Sequence, residues 1–257
     1  MHKTTMRIAI ISLVLPLFAA CGGGGGGGGG STTASAPEGP YDLEFAVFGQ
    51  QGVSRNFTLD GEDNNGNQYT ADLSRITPDT KPTDSPCIDG ETHLDTGLTL
   101  TVTFSDGSSD TTVVDTDNCW TVGNDLIFQF ARTLQDGSTI TYEQLATGAG
   151  IPASATIGEG GTFASTTIYE ESNGTSGLQT TGDTFDGTKT SSWKLVDDNG
   201  QGQLVVTTVK KDTGGTTEFT EVTKADIDTD GSVKGYAIRI EYGPGSSLDG
   251  LIVNLST

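Results

Sequence analysis

The chain has 257 residues, 33% of them hydrophobic and 18% charged, with 37 glycines and a net charge of −21. Its length suits one large or two small domains. Abundant Gly, Thr, Ser, Asp and Asn disfavour long helices and favour strands joined by tight turns. The acidic balance repels phosphate backbones and anionic lipid headgroups, which excludes nucleic acid as a partner.

The first twenty residues have the pattern of a signal peptide. Lys3 and Arg7 supply positive charge, and an apolar run follows from Ile8 to Phe18. The run is too short to stay in a bilayer as a spanning helix. Residues 1–20 are therefore predicted to be removed, and the loss of two basic residues would take the net charge from −21 to −23.

The residues Leu17-Phe18-Ala19-Ala20-Cys21 resemble the lipobox of bacterial lipoproteins, although Phe18 stands where leucine is commonest. In that family the cysteine receives diacylglycerol before cleavage. The resemblance implies that Cys21 becomes acylated, carries palmitate label and anchors the chain to a lipid bilayer. Glycine rather than aspartate after Cys21 implies the outer membrane, with its periplasmic and surface faces both left open.

Residues 21–40 comprise this cysteine and a linker. Nine consecutive glycines, Gly22 to Gly30, precede a stretch rich in Ser, Thr and Ala. The glycines contain the G-x-G-x-x-G spacing of dinucleotide-binding loops, but no strand pattern precedes them and no helix pattern follows. We therefore expect a flexible tether with a typical end-to-end distance of about 24 Å.

From Tyr41 onward, short runs alternate apolar and polar residues and end at Asn-Gly, Asp-Gly or Gly-Gly pairs. This is the pattern of half-buried antiparallel strands, so the predicted fold class is all-β. The short segment 142–146 is interpreted as a strand end or a single helical turn. The apolar sets that define predicted strands are Leu43, Phe45 and Val47; Leu98, Leu100, Val102 and Phe104; Leu126, Phe128 and Phe130; Trp193 and Leu195; Leu204 and Val206; Tyr236, Ile238, Ile240 and Tyr242; and Leu251, Val253 and Leu255.

A boundary is predicted near residues 148–152, where the strand pattern gives way to small residues. Residues 41–148 have the size of an immunoglobulin-like sandwich, and residues 149–257 favour a β-meander or open barrel. Whether these are one module or two is left open. Pro152, the Gly160-Gly161 pair, Trp193 and the late Asp230-Gly231 hairpin make the second half similar to C-terminal halves of uncharacterised proteobacterial lipoproteins.

With Cys21 committed to lipid, Cys87 and Cys119 form an even pair in an oxidising compartment. A disulfide is the expected outcome. The alternative is a catalytic or metal-binding thiol, which the absence of a C-x-x-C spacing disfavours.

Motifs for catalysis are sparse. His93 is the one histidine beyond the signal peptide, and its neighbours Glu91 and Asp95 favour a surface position at the start of a strand. The sequence has no G-x-S-x-G, and Ser191 to Lys194 matches S-x-x-K in a strand rather than at a helix start. Trp120 and Trp193 could stack on sugars if exposed, but core positions are favoured. No catalytic residue is predicted.

One acidic loop offers a candidate metal site. Asp226, Asp228 and Asp230, followed by Gly231, match the first positions of an EF-hand calcium loop, but Ala237 stands where the bidentate glutamate belongs. We interpret the segment as a β-hairpin, with a weak calcium site as the alternative. No other cofactor is predicted.

The leading functional hypothesis is a membrane-anchored, non-catalytic β module that binds or scaffolds an envelope protein or glycan. The alternatives are a glycan-active envelope enzyme and a weak calcium-dependent adhesion module. Exposed tryptophans in a groove with two nearby acids would favour the enzyme, whereas a flat or filled β surface would favour the binder.

Overall fold

The computed structural model describes residues 35–49, 55–76, 87, 91–135, 138–170 and 183–257. The signal peptide, Cys21 and the linker up to residue 34 lie outside these residues, as does the Asp136-Gly137 pair, where the sequence pattern predicts a turn. The described part is all-β with one short helix, which confirms the predicted fold class. The elements are β1 (Tyr41–Asp42), α1 (Leu43–Phe48), β2 (Arg55–Asp63), β3 (Gln68–Ile76), β4 (Thr92–Thr103), β5 (Ser109–Val122), β6 (Asp125–Gln135), β7 (Ser138–Thr147), β8 (Ile151–Pro152), β9 (Ser154–Ala155), β10 (Gly160–Glu170), β11 (Thr184–Asp198), β12 (Gln201–Lys211), β13 (Thr217–Ile227), β14 (Val233–Tyr242) and β15 (Ile252–Ser256).

The long strands form a closed antiparallel barrel of twelve strands. The twelve strands are β2 to β7 and β10 to β15. Each of them pairs with the next one along the chain, so that β7 pairs with β10, and β15 pairs with β2 to close the barrel. The short strand β8 pairs with the start of β6, and β1 pairs with β9 as a separate two-stranded sheet. Closure leaves these twelve strands without an unpaired edge.

The two predicted modules are two parts of this one barrel rather than a sandwich followed by a meander. Across the predicted boundary β7 pairs with β10, where Tyr142 faces Tyr169. The first and last long strands also pair, with Gly61 opposite Leu255. Local alternation identifies strands and their faces, but closure depends on long-range pairing that alternation does not encode.

The first predicted strand is wrong, because Leu43 to Phe48 form the helix α1. The side chain of Asp42 accepts a hydrogen bond from the backbone N–H of Phe45 at 2.7 Å and caps the helix. An N-cap aspartate of this kind stabilises a helix by about 1 kcal/mol. The buried residues of α1 are Leu43, Ala46, Val47 and Phe48, a helical face rather than every second position.

This helix packs its apolar face into the main core. The ring of Phe48 meets the ring of Trp120 edge to face at 5.6 Å, and Trp120 in turn contacts Phe128 at 5.4 Å. Such aromatic pairs add about 0.5–1.5 kcal/mol each beyond area burial. Elsewhere in the core, the apolar cavity between β2–β4 and β14–β15 has about 20 Å³, room for roughly one water molecule.

The hairpin turn between β13 and β14 rests on the start of α1. The backbone N–H of Asp42 donates to the carbonyl of Thr229 at 3.0 Å. Gly231 has a φ of +80°, and a Cβ there would lie 2.3 Å from the carbonyl oxygen of Asp42. Glycine is therefore required both by the turn and by its contact with α1.

Within the described ranges, no helix has the length and hydropathy needed to cross a bilayer.

Candidate functional site

Four charged or titratable side chains meet on the outer face of β4, β5 and β6. They are His93, Asp95, Asp117 and Arg132, here called the outer-wall cluster. Side chains alternate between the two faces of a strand, and the adjacent residues Leu94 and Ala131 are fully buried in the main core. The cluster therefore points outward.

The register of the three strands brings the cluster together. Asp95 faces Asp117 across β4 and β5, and Asp117 faces Arg132 across β5 and β6. His93 lies two residues before Asp95, on the same face. The cluster therefore sits on three hydrogen-bonded strands rather than on loops.

The distances within the cluster are short. His93 Nε2 lies 3.1 Å from Asp95 Oδ1 and 3.6 Å from Asp117 Oδ1. Arg132 Nε donates to Asp117 Oδ2 at 2.8 Å, and the guanidinium also donates to that oxygen through a terminal nitrogen. Arg132 thus holds one carboxylate oxygen of Asp117 and leaves the other directed at His93.

These contacts shift the pKa values of the group. Burial alone would lower the pKa of His93, but the hydrogen bonds and charges of Asp117 and Asp95 outweigh burial and raise that pKa to about 9. For Asp117 the effect of burial has the opposite sign, because burial disfavours the charged carboxylate and would raise its pKa. Hydrogen bonds from His93 and Asp95 and the charge of Arg132 nevertheless lower that pKa to about 2. Burial raises the pKa of Asp95.

The surface position predicted for His93 is wrong. Only 5% of the residue is exposed, and its Nδ1 is buried with no hydrogen-bond partner within the described part of the chain. The prediction that His93 stands at the start of a strand is confirmed, since β4 begins at Thr92. The local sequence around His93 does not reveal this burial.

A second, smaller core lies beside the cluster. It consists of Cys87, Cys119, Phe130 and Tyr142, and Cys119 faces His93 in register. The sulfur atoms of Cys87 and Cys119 are 2.10 Å apart, which is the distance of a disulfide and the pairing predicted from sequence.

A register shift explains how this second core forms. The sequence predicts that Phe128 and Phe130 share one face, but β5 and β6 change register between Cys119 and Trp120. Phe128 consequently joins the main core and Phe130 joins the second core. An irregularity of this kind inserts one extra residue and changes which way the following side chains point.

Inside the barrel, a second group of charges is buried, here called the lumen cluster: Lys189, Glu143 and Glu221. Lys189 Nζ lies 2.6 Å from Glu143 Oε2, and Thr166 donates to the other oxygen of Glu143 at 2.5 Å. Burial raises the pKa of Glu221 to about 7, although the nearby charge of Lys189 and a hydrogen bond from Thr223 oppose this rise. The sequence alone does not distinguish these residues, because a buried charge in a strand has the same local pattern as an exposed one.

The three aspartates of the predicted calcium loop have separate partners. Asp226 accepts a hydrogen bond from Gln203, and Asp228 pairs with Lys234 at 2.8 Å. Asp230 accepts from the backbone N–H of Ser232 at 2.9 Å within the turn. This turn joins β13 to β14, as the hairpin interpretation predicts, and the weak calcium site stays a prediction.

Among the described residues, two sets of His, Cys, Asp or Glu bring their ligand atoms within 4.8 Å of one another. One set contains the paired Cys87 and Cys119, and the other consists of His93, Asp95 and Asp117. The arrangement that the structure offers for metal chemistry is therefore in the outer-wall cluster.

Both tryptophans lie in the main core, as predicted, with exposed fractions of 0% for Trp120 and 7% for Trp193. Comparison with models of known protein families, with curated proteins and with solved structures found no match for this chain.

Proposed function

We propose that this chain is a lipid-anchored lipoprotein of the bacterial envelope whose barrel is a non-catalytic binding or scaffolding module. The lipobox at Cys21, the preceding signal-peptide pattern and the glycine tether support the anchor. The partners of the barrel are then an envelope protein or glycan, and the outer membrane is the proposed location.

Burial of both tryptophans is the observation that carries the choice of a binder over a glycan-active enzyme. Sugar-cleaving sites commonly hold their substrate on exposed aromatic rings beside a pair of carboxyl groups. Here Trp120 and Trp193 are both buried in the main core. The outer wall and the loops of the barrel are consequently the surfaces that the proposal assigns to a partner.

The net negative charge of the chain limits which partners it can attract. An excess of acidic side chains repels polyanions, so the proposed partner presents neutral or basic groups. Attraction between charged surfaces is screened with a Debye length of about 8 Å at physiological salt. We therefore expect binding through charged contacts to weaken as salt is added.

The anchor is tested by fatty-acid labelling in a bacterial host that processes lipoproteins. The unaltered chain should incorporate labelled palmitate and sediment with membranes. Cys21→Ser should lose the label and leave the membrane fraction or accumulate as the uncleaved precursor. Cys87→Ser is the matched control and should keep the label. Label retained in Cys21→Ser would overturn the anchor.

The binding role is tested with the full chain purified in detergent from membranes. It is incubated with isolated peptidoglycan and outer-membrane fragments, and both co-sedimentation and released reducing sugar are measured. We expect salt-sensitive co-sedimentation without sugar release. Release of soluble glycan fragments would contradict the proposal and favour the envelope enzyme.

A further inference from the structure

We propose that His93, Asp95 and Asp117 form a binding site for a divalent transition-metal ion of the class of Zn²⁺. The site lies on the outer wall of the barrel, and its assignment is independent of the lipid anchor. It rests on the spacing of the ligand atoms, on their chemistry and on the support that holds them.

The spacing of the ligand atoms fits one metal ion. Zinc binds histidine nitrogen and carboxylate oxygen at about 2.0–2.2 Å, so two ligands at octahedral or tetrahedral angles lie about 2.8–3.6 Å apart. The distances from His93 Nε2 to the nearer oxygens of Asp95 and Asp117 are 3.1 and 3.6 Å. All three ligand atoms lie within 4.8 Å of one another.

The donor set selects the class of metal. An imidazole nitrogen with two carboxylate oxygens suits Zn²⁺ and its first-row neighbours, whereas Ca²⁺ and Mg²⁺ prefer sites made of oxygen alone. Three protein ligands would leave at least one coordination position for water. Asp95 supplies the route to solvent, because 39% of its side chain is exposed.

The surroundings hold the ligands in place. Asp95 and Asp117 are register partners on paired strands, so their backbones are fixed relative to each other. Arg132 binds only Oδ2 of Asp117 and so orients Oδ1 toward His93. Partners of this kind around a metal ligand typically change affinity by 10- to 100-fold when removed.

The buried histidine is the observation beyond the two acids that points to a ligand. The side chain of His93 is 3% exposed and is directed at both carboxylates. When the imidazole of His93 is neutral, the two carboxylates and Arg132 carry a combined charge of −1. A bound divalent cation would more than neutralise this charge. The competing occupant of the same space is a proton on His93, held between the two acids.

Calorimetric titration of the full chain with Zn²⁺, after chelator treatment and under non-reducing conditions, tests the site. We expect one saturable site in the unaltered chain and at least about tenfold weaker binding in Asp95→Asn. Asp115→Asn is the matched control, since Asp115 lies two residues before Asp117 on the same strand and is not one of the three ligands. Its affinity should equal that of the unaltered chain.

A spectroscopic measurement on the unaltered chain guards against a variant that fails to fold. His2 lies in the segment that is proposed to be removed, so selective ¹⁵N-histidine labelling of the processed chain gives the imidazole spectrum of His93 alone and needs no variant for its assignment. Saturating Zn²⁺ should shift the Nε2 resonance of His93. Unchanged nitrogen shifts of His93, or equal Zn²⁺ affinity in Asp95→Asn and the unaltered chain, would overturn the site in favour of the proton alone.

Discussion

A Cβ atom at Gly61 would lie 1.8 Å from the carbonyl oxygen of Asn254, across the strand pair that closes the barrel. No side chain fits between these two backbones, since real Cβ atoms essentially never approach a heavy atom closer than 3.0 Å. The seam between the first and last long strands therefore depends on a glycine.

We expect Gly61→Ala to destabilise the fold by about 1–3 kcal/mol, as overpacking in a well-packed interior does. The effect should appear in urea unfolding as a lower midpoint. Gly123→Ala is the matched control, because a Cβ at Gly123 meets nothing within 4 Å. Surface changes of that kind stay within about 0.5 kcal/mol. Equal stability of the two variants would show that the seam shifts freely.

Removal of the disulfide between Cys87 and Cys119 is also expected to lower the stability of the fold. These residues are 32 positions apart, and closing a loop of that length stabilises by about 3–4 kcal/mol in the chain-entropy model. Replacing both by serine should lower the free energy of unfolding by about this amount. Thiol titration of the unfolded, unreduced Cys21→Ser chain should find no free thiol, and two free thiols would refute the pairing.

Much of the barrel wall was predictable from the sequence, because alternation is a local property. Of the predicted set that begins at Leu98, all but Phe104, which follows the end of the strand, fall on β4, and the set from Tyr236 to Tyr242 falls on β14. The turns at Asn65-Gly66, Asp106-Gly107 and Asp230-Gly231 also join neighbouring strands, and each of these glycines has positive φ.

What sequence could not supply depends on contacts between distant segments. Leu43, Phe45 and Val47 alternate like a strand, yet α1 forms because its apolar face fits the core beside Trp120. Closure of β15 on β2 joins residues nearly two hundred positions apart. Asp117 reaches His93 only through the register of β4 with β5, so the sequence around His93 shows just one of its two carboxylate partners.

The calcium loop yields a prediction with a clear control. With Asp226, Asp228 and Asp230 engaged by separate partners, we expect about 1 mM calcium to raise the melting temperature little or not at all. Asp228→Ala loses an exposed ion pair with Lys234, which contributes at most about 1 kcal/mol. A rise of several degrees with calcium that disappears in Asp228→Ala would instead favour calcium-dependent adhesion.

The lumen cluster predicts how stability depends on pH. Burial raises the pKa of Glu221 from 4.5 to about 7 in the folded chain. Between these values the folded state keeps a proton that the unfolded state has released, so folding is favoured at the acidic end of the window. The contribution of Glu221 is fully present below pH 4.5 and is lost as the pH rises through about 7.

Glu221→Gln isolates this contribution, because a glutamine side chain is close in size and does not ionise. The stability of the variant relative to that of the unaltered chain should therefore rise by on the order of 3–4 kcal/mol from the acidic to the basic end of the window, at about 1.4 kcal/mol per pKa unit. Urea unfolding across this range measures the difference, and Glu38→Gln, at an exposed position before β1, is the control. If the free energy of unfolding depends on pH in the same way for Glu221→Gln and the unaltered chain, Glu221 does not titrate inside the barrel.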